Sequence, residues 1–157
     1  MITLVLGGAR SGKSAIAESL VAGDVVYLAT ATVTDPDFAN RVERHRMRRP
    51  ASWATVESGP DLAGALRSCG DRPVLLDSLG TWLAGVEGFA ADVDGLVEAL
   101  RSRTAATVVV SEEVGLGVHP ETEVGRRWRD AVGEANQAVA AVADDVLLVF
   151  AGRVLRL

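Results

Sequence analysis

Short apolar runs alternate along this chain with longer segments in which apolar positions recur every three or four residues. The short runs are Thr3 to Leu6, Val25 to Ala29, Val74 to Leu76, Thr107 to Val110 and Val146 to Phe150. They are rich in β-branched residues and nearly continuous, the pattern expected of parallel strands covered on both faces. Between them, helical spacing predicts helices over Lys13 to Val21, Asp37 to Arg48, Pro60 to Ser68, Asp92 to Arg101 and Glu123 to Val142. Asp35-Pro36 supplies an N-cap and a proline at the start of the second of these. Gly152 precedes a last segment, Arg153 to Leu157, close enough to return as an antiparallel edge hairpin. Strand and helix in alternation predict a three-layer α/β fold with right-handed crossovers.

The last predicted helix carries two faces. Val124, Trp128, Ala131, Val132, Ala135, Val139 and Val142 form an apolar stripe that reads as core or subunit contact. Arg126, Arg129, Asp130, Gly133 and Gln137 share another face, open to three readings: substrate contact, subunit contact or solvated charge.

With 157 residues, the chain suits one domain over 1–157, and 48% hydrophobic and 24% charged residues are ordinary for a globular protein. A net charge of -5 argues against a general binder of nucleic acid or anionic membrane. Cys69 is the single cysteine and forms no internal disulfide, which suits a reducing compartment. The start, Met1 to Leu6, lacks a basic leader region, and no apolar stretch approaches the ~20 residues of a membrane span. The expected location is the cytoplasm. Of the 16 Lys and Arg residues, Lys13 alone is lysine. A lone lysine in an arginine-using chain marks a position where a slim ammonium is needed and a planar guanidinium does not fit.

That lysine lies in Gly7-Gly8-Ala9-Arg10-Ser11-Gly12-Lys13-Ser14, a G-x-x-x-x-G-K-[ST] pattern between a predicted strand and a predicted helix. Its glycines let the backbone curl so that successive N–H groups face a phosphate, aided by the helix N-terminus. Lys13 is expected to reach the β/γ-phosphates, and Ser14 to complete a Mg²⁺ shell. The fold class is then a three-layer P-loop NTPase (RecA-like) fold, mostly parallel, with the antiparallel edge hairpin at its C-terminus. Asp77 closes the run Val74-Leu75-Leu76, where such sheets place ligands. It reads either as the acid that holds the magnesium shell or as a cap before Ser78. The residues argue against a switch GTPase, because its usual guanine-reading motif needs a second lysine.

In an acidic chain, Arg41-Val42-Glu43-Arg44-His45-Arg46-Met47-Arg48-Arg49-Pro50 is strongly basic. Phe38, Val42 and His45 recur on one helical face. The arginines can hold a triphosphate by paired hydrogen bonds, and a neutral imidazole there can attack an α-phosphorus to form a nucleotidyl-enzyme. From these residues alone, His45 reads more readily as a structural histidine and the basic run as a solvated face. His119, before Pro120, reads as a loop residue without a catalytic role.

Read together, the motifs resemble the bifunctional adenosylcobinamide kinase/adenosylcobinamide-phosphate guanylyltransferase family of cobalamin biosynthesis. After the opening loop come Tyr27-Leu28-Ala29-Thr30-Ala31, Arg41-Val42-x-x-His45 and Arg49-Pro50-x-x-Trp53-x-Thr55-x-Glu57. Then follow Asp77-Ser78-Leu79-x-Thr81-Trp82-Leu83 and Glu113-Val114-Gly115-Leu116-Gly117. The series ends with Arg126-Arg127-Trp128-Arg129-Asp130-x-x-Gly133-x-x-Asn136-Gln137 and Ala143-Asp144. The resemblance implies phosphoryl transfer from ATP or GTP to adenosylcobinamide, then transfer of GMP through a covalent GMP-histidine on His45. It implies nucleotide contacts at Ala29, Thr30, Ala31, Arg46, Met47, Arg48, Arg49, Glu57 and Asp77, with Mg²⁺ at Ser14 and Asp77. A corrinoid partner and a homotrimer are likewise implied. Two departures stand out: Glu112 where the family commonly has Asn, and a short stretch between Leu83 and Leu96. Two other classes of function remain open on the residues, a small-molecule kinase with a structural His45 and a nucleotide-controlled assembly module.

Overall fold

In the computed structural model, residues 1–31 and 50–157 are described. They form a seven-stranded sheet in the order β3-β2-β4-β5-β1-β6-β7. The strands are β1 (Ile2–Gly7), β2 (Val26–Ala29), β3 (Ala54–Glu57), β4 (Val74–Asp77), β5 (Thr107–Glu112), β6 (Asp145–Phe150) and β7 (Arg153–Arg156). Every pairing is parallel except β6 with β7, the antiparallel hairpin expected at the C-terminus. The helices are α1 (Lys13–Ser19), α2 (Leu62–Ser68), α3 (Leu79–Ala84), α4 (Val93–Arg101) and α5 (Glu123–Ala140).

The three layers follow from the period-two alternation of side chains along buried strands. Leu4, Leu28, Leu76 and Val109 point to one face and pack with Leu62, Leu66, Leu83, Leu96 and Val132 of α2 to α5. Val5, Tyr27, Leu75, Val108 and Val110 point to the other, with Ala17 of α1. Both faces are apolar, so these strands read as continuous runs rather than alternating ones.

Sequence and structure differ where elements are short. β3 and α3 were not expected; β3 is mostly exposed at the sheet edge, and α3 has only six residues. α1 stops at Ser19 and α5 at Ala140, each two residues before its predicted end. The α5 stripe is correspondingly shorter: Val132, Ala135 and Val139 are buried, Trp128 and Ala131 are partly buried against the same core, and Val124 is exposed. α2 begins at Leu62, after Asp61, whose carboxylate accepts the Gly64 N–H at 2.8 Å. The helix predicted over Asp37 to Arg48 lies outside the described residues.

One polar clip joins the end of the sheet opposite the phosphate loop to the helix layer. The Arg103 guanidinium donates to Thr107 Oγ1 at 2.8 Å and to the carbonyls of Leu66, Gly70 and Arg72 at 3.3, 2.9 and 2.5 Å. Among the described residues no helix is long and apolar enough to cross a membrane.

Candidate active site

The C-terminal edge of the parallel sheet gathers the residues singled out from sequence. Gly7 ends β1 and pairs with Glu112 of β5 on one side and Val149 of β6 on the other. A side chain at Gly7 would run into Ser11 Oγ and lie 2.8 Å from the Val149 carbonyl, so only glycine fits this crossing. The chain then turns through exposed Ala9 and Arg10, buried Ser11, and Gly12 at φ 95°. The turn is held by the Ser11 N–H on the Gly8 carbonyl at 3.2 Å. From the C-terminal hairpin, the Gly152 N–H donates to the Ser11 carbonyl at 2.8 Å. Lys13 and Ser14 open α1. Lys13 Nζ lies 3.5 Å from the Gly8 carbonyl oxygen and 3.8 Å from Glu112 Oε1.

Three strands away, Ala29 of β2 sits in register between Glu57 of β3 and Asp77 of β4. Asp77 Oδ2 accepts the Tyr27 hydroxyl at 3.0 Å. The helix after β4 is capped by Ser78 rather than Asp77: Ser78 and Thr81 form a reciprocal capping box. The cap reading of Asp77 therefore falls, and its carboxylate stays at the strand end. Thr30 ties β2 to this turn, donating from Oγ1 to the Ser78 carbonyl at 2.7 Å and accepting the Ser78 N–H at 2.8 Å. A cavity of about 280 Å³ opens beside it, lined by Ala29, Thr30, Ala31, Glu57 and Trp82 among others. Glu57 itself is exposed.

Glu112 has a larger role than sequence reasoning gave it. Its carboxylate accepts the Ser78 hydroxyl at 2.9 Å and the Gly80 N–H at 3.0 Å, besides facing Lys13. It fills the volume that a side chain at residue 80 would take, with Trp128 3.1 Å from the same point. α5 fastens both partners: Trp128 Nε1 donates to the Gly80 carbonyl at 3.0 Å, and Asn136 Nδ2 to the Glu112 carbonyl at 2.9 Å. The motif Trp128-x₇-Asn136 was visible in the sequence, but what it held was not. Glu113 instead closes its own loop, accepting the N–H groups of Gly115 at 2.7 Å and Leu116 at 3.2 Å. Arg126 donates to the Pro120 and Glu121 carbonyls, and Arg129 pairs with Asp130 and His119. Those contacts brace the preceding loop.

His45, Arg46, Met47, Arg48 and Arg49 lie outside the described residues. Among the described ones, Ser14 and Asp77 offer a hydroxyl and a carboxylate, hard oxygen ligands of the kind Mg²⁺ takes. No cluster of three or more His, Cys, Asp or Glu residues surrounds them among the described residues. Two protein oxygens suit a magnesium ion that arrives bound to nucleotide phosphates and keeps part of its water shell.

Comparison with known proteins agrees with this arrangement. The family model for cobinamide kinase / cobinamide phosphate guanyltransferase matches residues 3–157. A Pseudomonas aeruginosa protein named bifunctional adenosylcobalamin biosynthesis protein CobP is 39% identical over 97% of this chain and 94% of its own length. Its Escherichia coli K12 counterpart, CobU, is 34% identical over 97% of both chains. The solved structure of a KaiC-like protein from Pyrococcus horikoshii OT3 superposes with a TM-score of 0.53 at 13% identity, covering 94% of this chain and 71% of that one. That last likeness establishes the P-loop NTPase fold alone. The chain belongs to the cobinamide kinase / cobinamide phosphate guanyltransferase family, bifunctional transferases of adenosylcobalamin biosynthesis.

Proposed function

We propose that the chain phosphorylates adenosylcobinamide with ATP or GTP and then passes GMP from GTP, through His45, to the phosphorylated corrinoid. The observation that carries this reading is the order of groups along one sheet edge. Gly7 and Lys13 stand at β1, Asp77 at β4, and Ala29 and Glu57 at β2 and β3. Asp77 is two strand positions from Gly7 and two from Glu57, roughly 10 Å each way at ordinary strand spacing. Two acids, Glu112 at the end of β5 and Asp77 at the end of β4, thus stand between the phosphate loop and the second proposed cluster of nucleotide contacts, Ala29, Thr30, Ala31 and Glu57.

In the first reaction the corrinoid hydroxyl oxygen attacks the γ-phosphorus, the bond to the β–γ bridging oxygen breaks, and the hydroxyl proton leaves to solvent. Lys13 and the loop N–H groups bind the β/γ-phosphates and take up charge on the departing diphosphate. Magnesium held by Ser14 and Asp77 supplies further charge neutralisation when bound. In the second reaction an imidazole nitrogen of His45 attacks the α-phosphorus of GTP and pyrophosphate leaves. An oxygen of the corrinoid phosphate then attacks the same phosphorus, the P–N bond breaks, and adenosyl-GDP-cobinamide forms. Arg46, Arg48 and Arg49 stand beside His45 in sequence and provide charge for the pyrophosphate, with the Met47 backbone among them.

The test is incubation with α-labelled GTP, then denaturation and acid or base treatment. Acid-labile, base-stable label that disappears in His45→Ala supports the reading. Label that persists in that variant refutes the assignment of His45. Transfer of γ-label to adenosylcobinamide, measured separately, tests the kinase step.

A further inference from the structure

Lys13 and Glu112 are mostly buried, with side chains 13% and 24% exposed, and their charged atoms are 3.8 Å apart. We propose that Glu112 is a fixed counter-anion for Lys13, and that nucleotide phosphates must draw Lys13 away from it, so that Glu112 sets the affinity of the loop for phosphate. The inference rests on the proposed role of Lys13 at the β/γ-phosphates and adds to it a positioning residue that opposes binding.

The two partners differ in freedom. Lys13 has a flexible side chain and, among the described residues, one other polar side-chain contact, the Gly8 carbonyl at 3.5 Å. The Glu112 carboxylate is anchored by the Ser78 hydroxyl and the Gly80 N–H. Its backbone is held too: Asn136 donates to its carbonyl, and the following N–H, of Glu113, donates to the Gly7 carbonyl at 3.1 Å. When a phosphate arrives, the ammonium can swing and the carboxylate cannot follow. Glu112 then stays close to the incoming anion, with like charges facing across the space Lys13 has left. A neutral side chain here would free Lys13 beforehand and remove that repulsion.

The carboxylate also has a prepared place. It occupies the position where any side chain at residue 80 would begin, so Gly80 is what makes room for it. An asparagine at this position would carry no charge and be one methylene shorter, so it could not serve as the counter-anion.

Glu112→Gln keeps the shape, the acceptor oxygen for Ser78 or Gly80, and removes the charge. The measurement is calorimetric titration of inorganic pyrophosphate and of ATP into wild type, Glu112→Gln and Glu112→Asn, with thermal melts of each. The exchange predicts pyrophosphate binding about tenfold tighter in Glu112→Gln, together with a lower melting temperature, because the Lys13 pair is lost. A purely structural role lowers the melting temperature as well but leaves pyrophosphate affinity unaltered or weaker, since a damaged site binds no better. Unchanged or weaker binding by folded Glu112→Gln overturns the inference; if that variant does not fold, the same outcome in Glu112→Asn does so. Failure of the wild type to bind either anion overturns the assigned role of Lys13 as well, whereas binding that the substitutions leave untouched overturns the exchange alone.

Discussion

Replacement of Lys13 by arginine conserves charge, yet it should abolish the kinase reaction while leaving the fold intact. The ammonium sits between the Gly8 carbonyl at 3.5 Å and Glu112 at 3.8 Å, in a space only 13% exposed on the lysine side. At that separation, with an effective dielectric of about 20, the attraction to Glu112 is of order 4 kcal/mol before desolvation is subtracted. An ammonium makes this contact as a single point charge and can rotate off it. A guanidinium presents a planar fork that matches a carboxylate at two points, so it binds Glu112 more firmly and leaves it less readily. Loss of one preorganised donor to a developing phosphoryl charge costs about 10²–10³ in rate, or roughly 3–4 kcal/mol. The assay is initial-rate transfer of γ-label to adenosylcobinamide at several ATP concentrations, alongside a thermal melt. Lys13→Arg should lose at least about a hundredfold in kcat/KM, with a melting temperature equal to or slightly above wild type. The double variant Lys13→Arg/Glu112→Gln should recover part of the ATP affinity, a coupling that a double-mutant cycle reads directly. Retention of more than about a tenth of wild-type kcat/KM by Lys13→Arg would refute the reasoning, since that is a loss far below what one such donor supplies. So would a large drop in melting temperature, which would trace the loss to unfolding.

Three further outcomes follow from contacts away from Lys13. Tyr27→Phe removes the hydroxyl that donates to Asp77 at 3.0 Å; urea denaturation should show a loss of about 1 kcal/mol, and half-maximal kinase rate should need more Mg²⁺ because Asp77 is less firmly oriented. Arg103→Ala deletes four hydrogen bonds from a half-buried guanidinium; after discounting for partners that are partly wet, about 2–4 kcal/mol is lost, seen as a melting point lower by roughly 5–12 °C, and Arg103→Lys should recover less than half of it. Burial raises the Cys69 thiol above its ordinary value of 9.0, with Arg103 and Arg72 opposing the rise. The unfolded chain then gives up this proton first, so the stabilisation is complete below pH 9 and is lost as pH rises through the higher folded value. Urea midpoints at pH 8 and pH 10 should fall further in wild type than in Cys69→Ala; equal falls would remove Cys69 from the account.

The parallel core was legible because its strands are buried on both faces, which forces near-continuous apolar runs such as Val74-Leu75-Leu76 and Thr107 to Val110. The edge strand was not. Ala54–Glu57 has three of its four residues exposed, and burial had imposed no pattern on it. Leu79–Ala84 is too short to show a 3.6-residue period, and its start signal, Ser78 with Thr81, lacks the Glu or Gln that makes a capping box conspicuous. The turn from β1 into α1 was readable in the sequence, since two of its glycines answer backbone demands: a close approach at Gly7 and a positive φ at Gly12. Glu112 stood out only as a departure from the family's Asn. Its partners Ser78, Gly80 and Lys13 are dozens of positions away, and side-chain geometry, which no local pattern encodes, brings them together.

The same geometry gives the C-terminal third of the chain a purpose that its distance from the loop conceals. Three long-range hydrogen bonds converge on the two sides of Lys13. Gly152, in the turn between β6 and β7, holds the Ser11 carbonyl on one side. Trp128 and Asn136, both on α5, hold Gly80 and Glu112 on the other. Each fixes a backbone carbonyl rather than a reacting atom, so each acts by limiting where the loop and its opposing carboxylate can move. Preorganisation of this kind decides how much a phosphate-binding lysine contributes, because a charge that must first reorganise its surroundings stabilises a transition state less. The hairpin and α5 therefore brace the loop proposed to bind phosphate, even though neither is expected to touch a nucleotide. Within this chain the loop supplies the charge, and Trp128 and Asn136 keep the space around it constant.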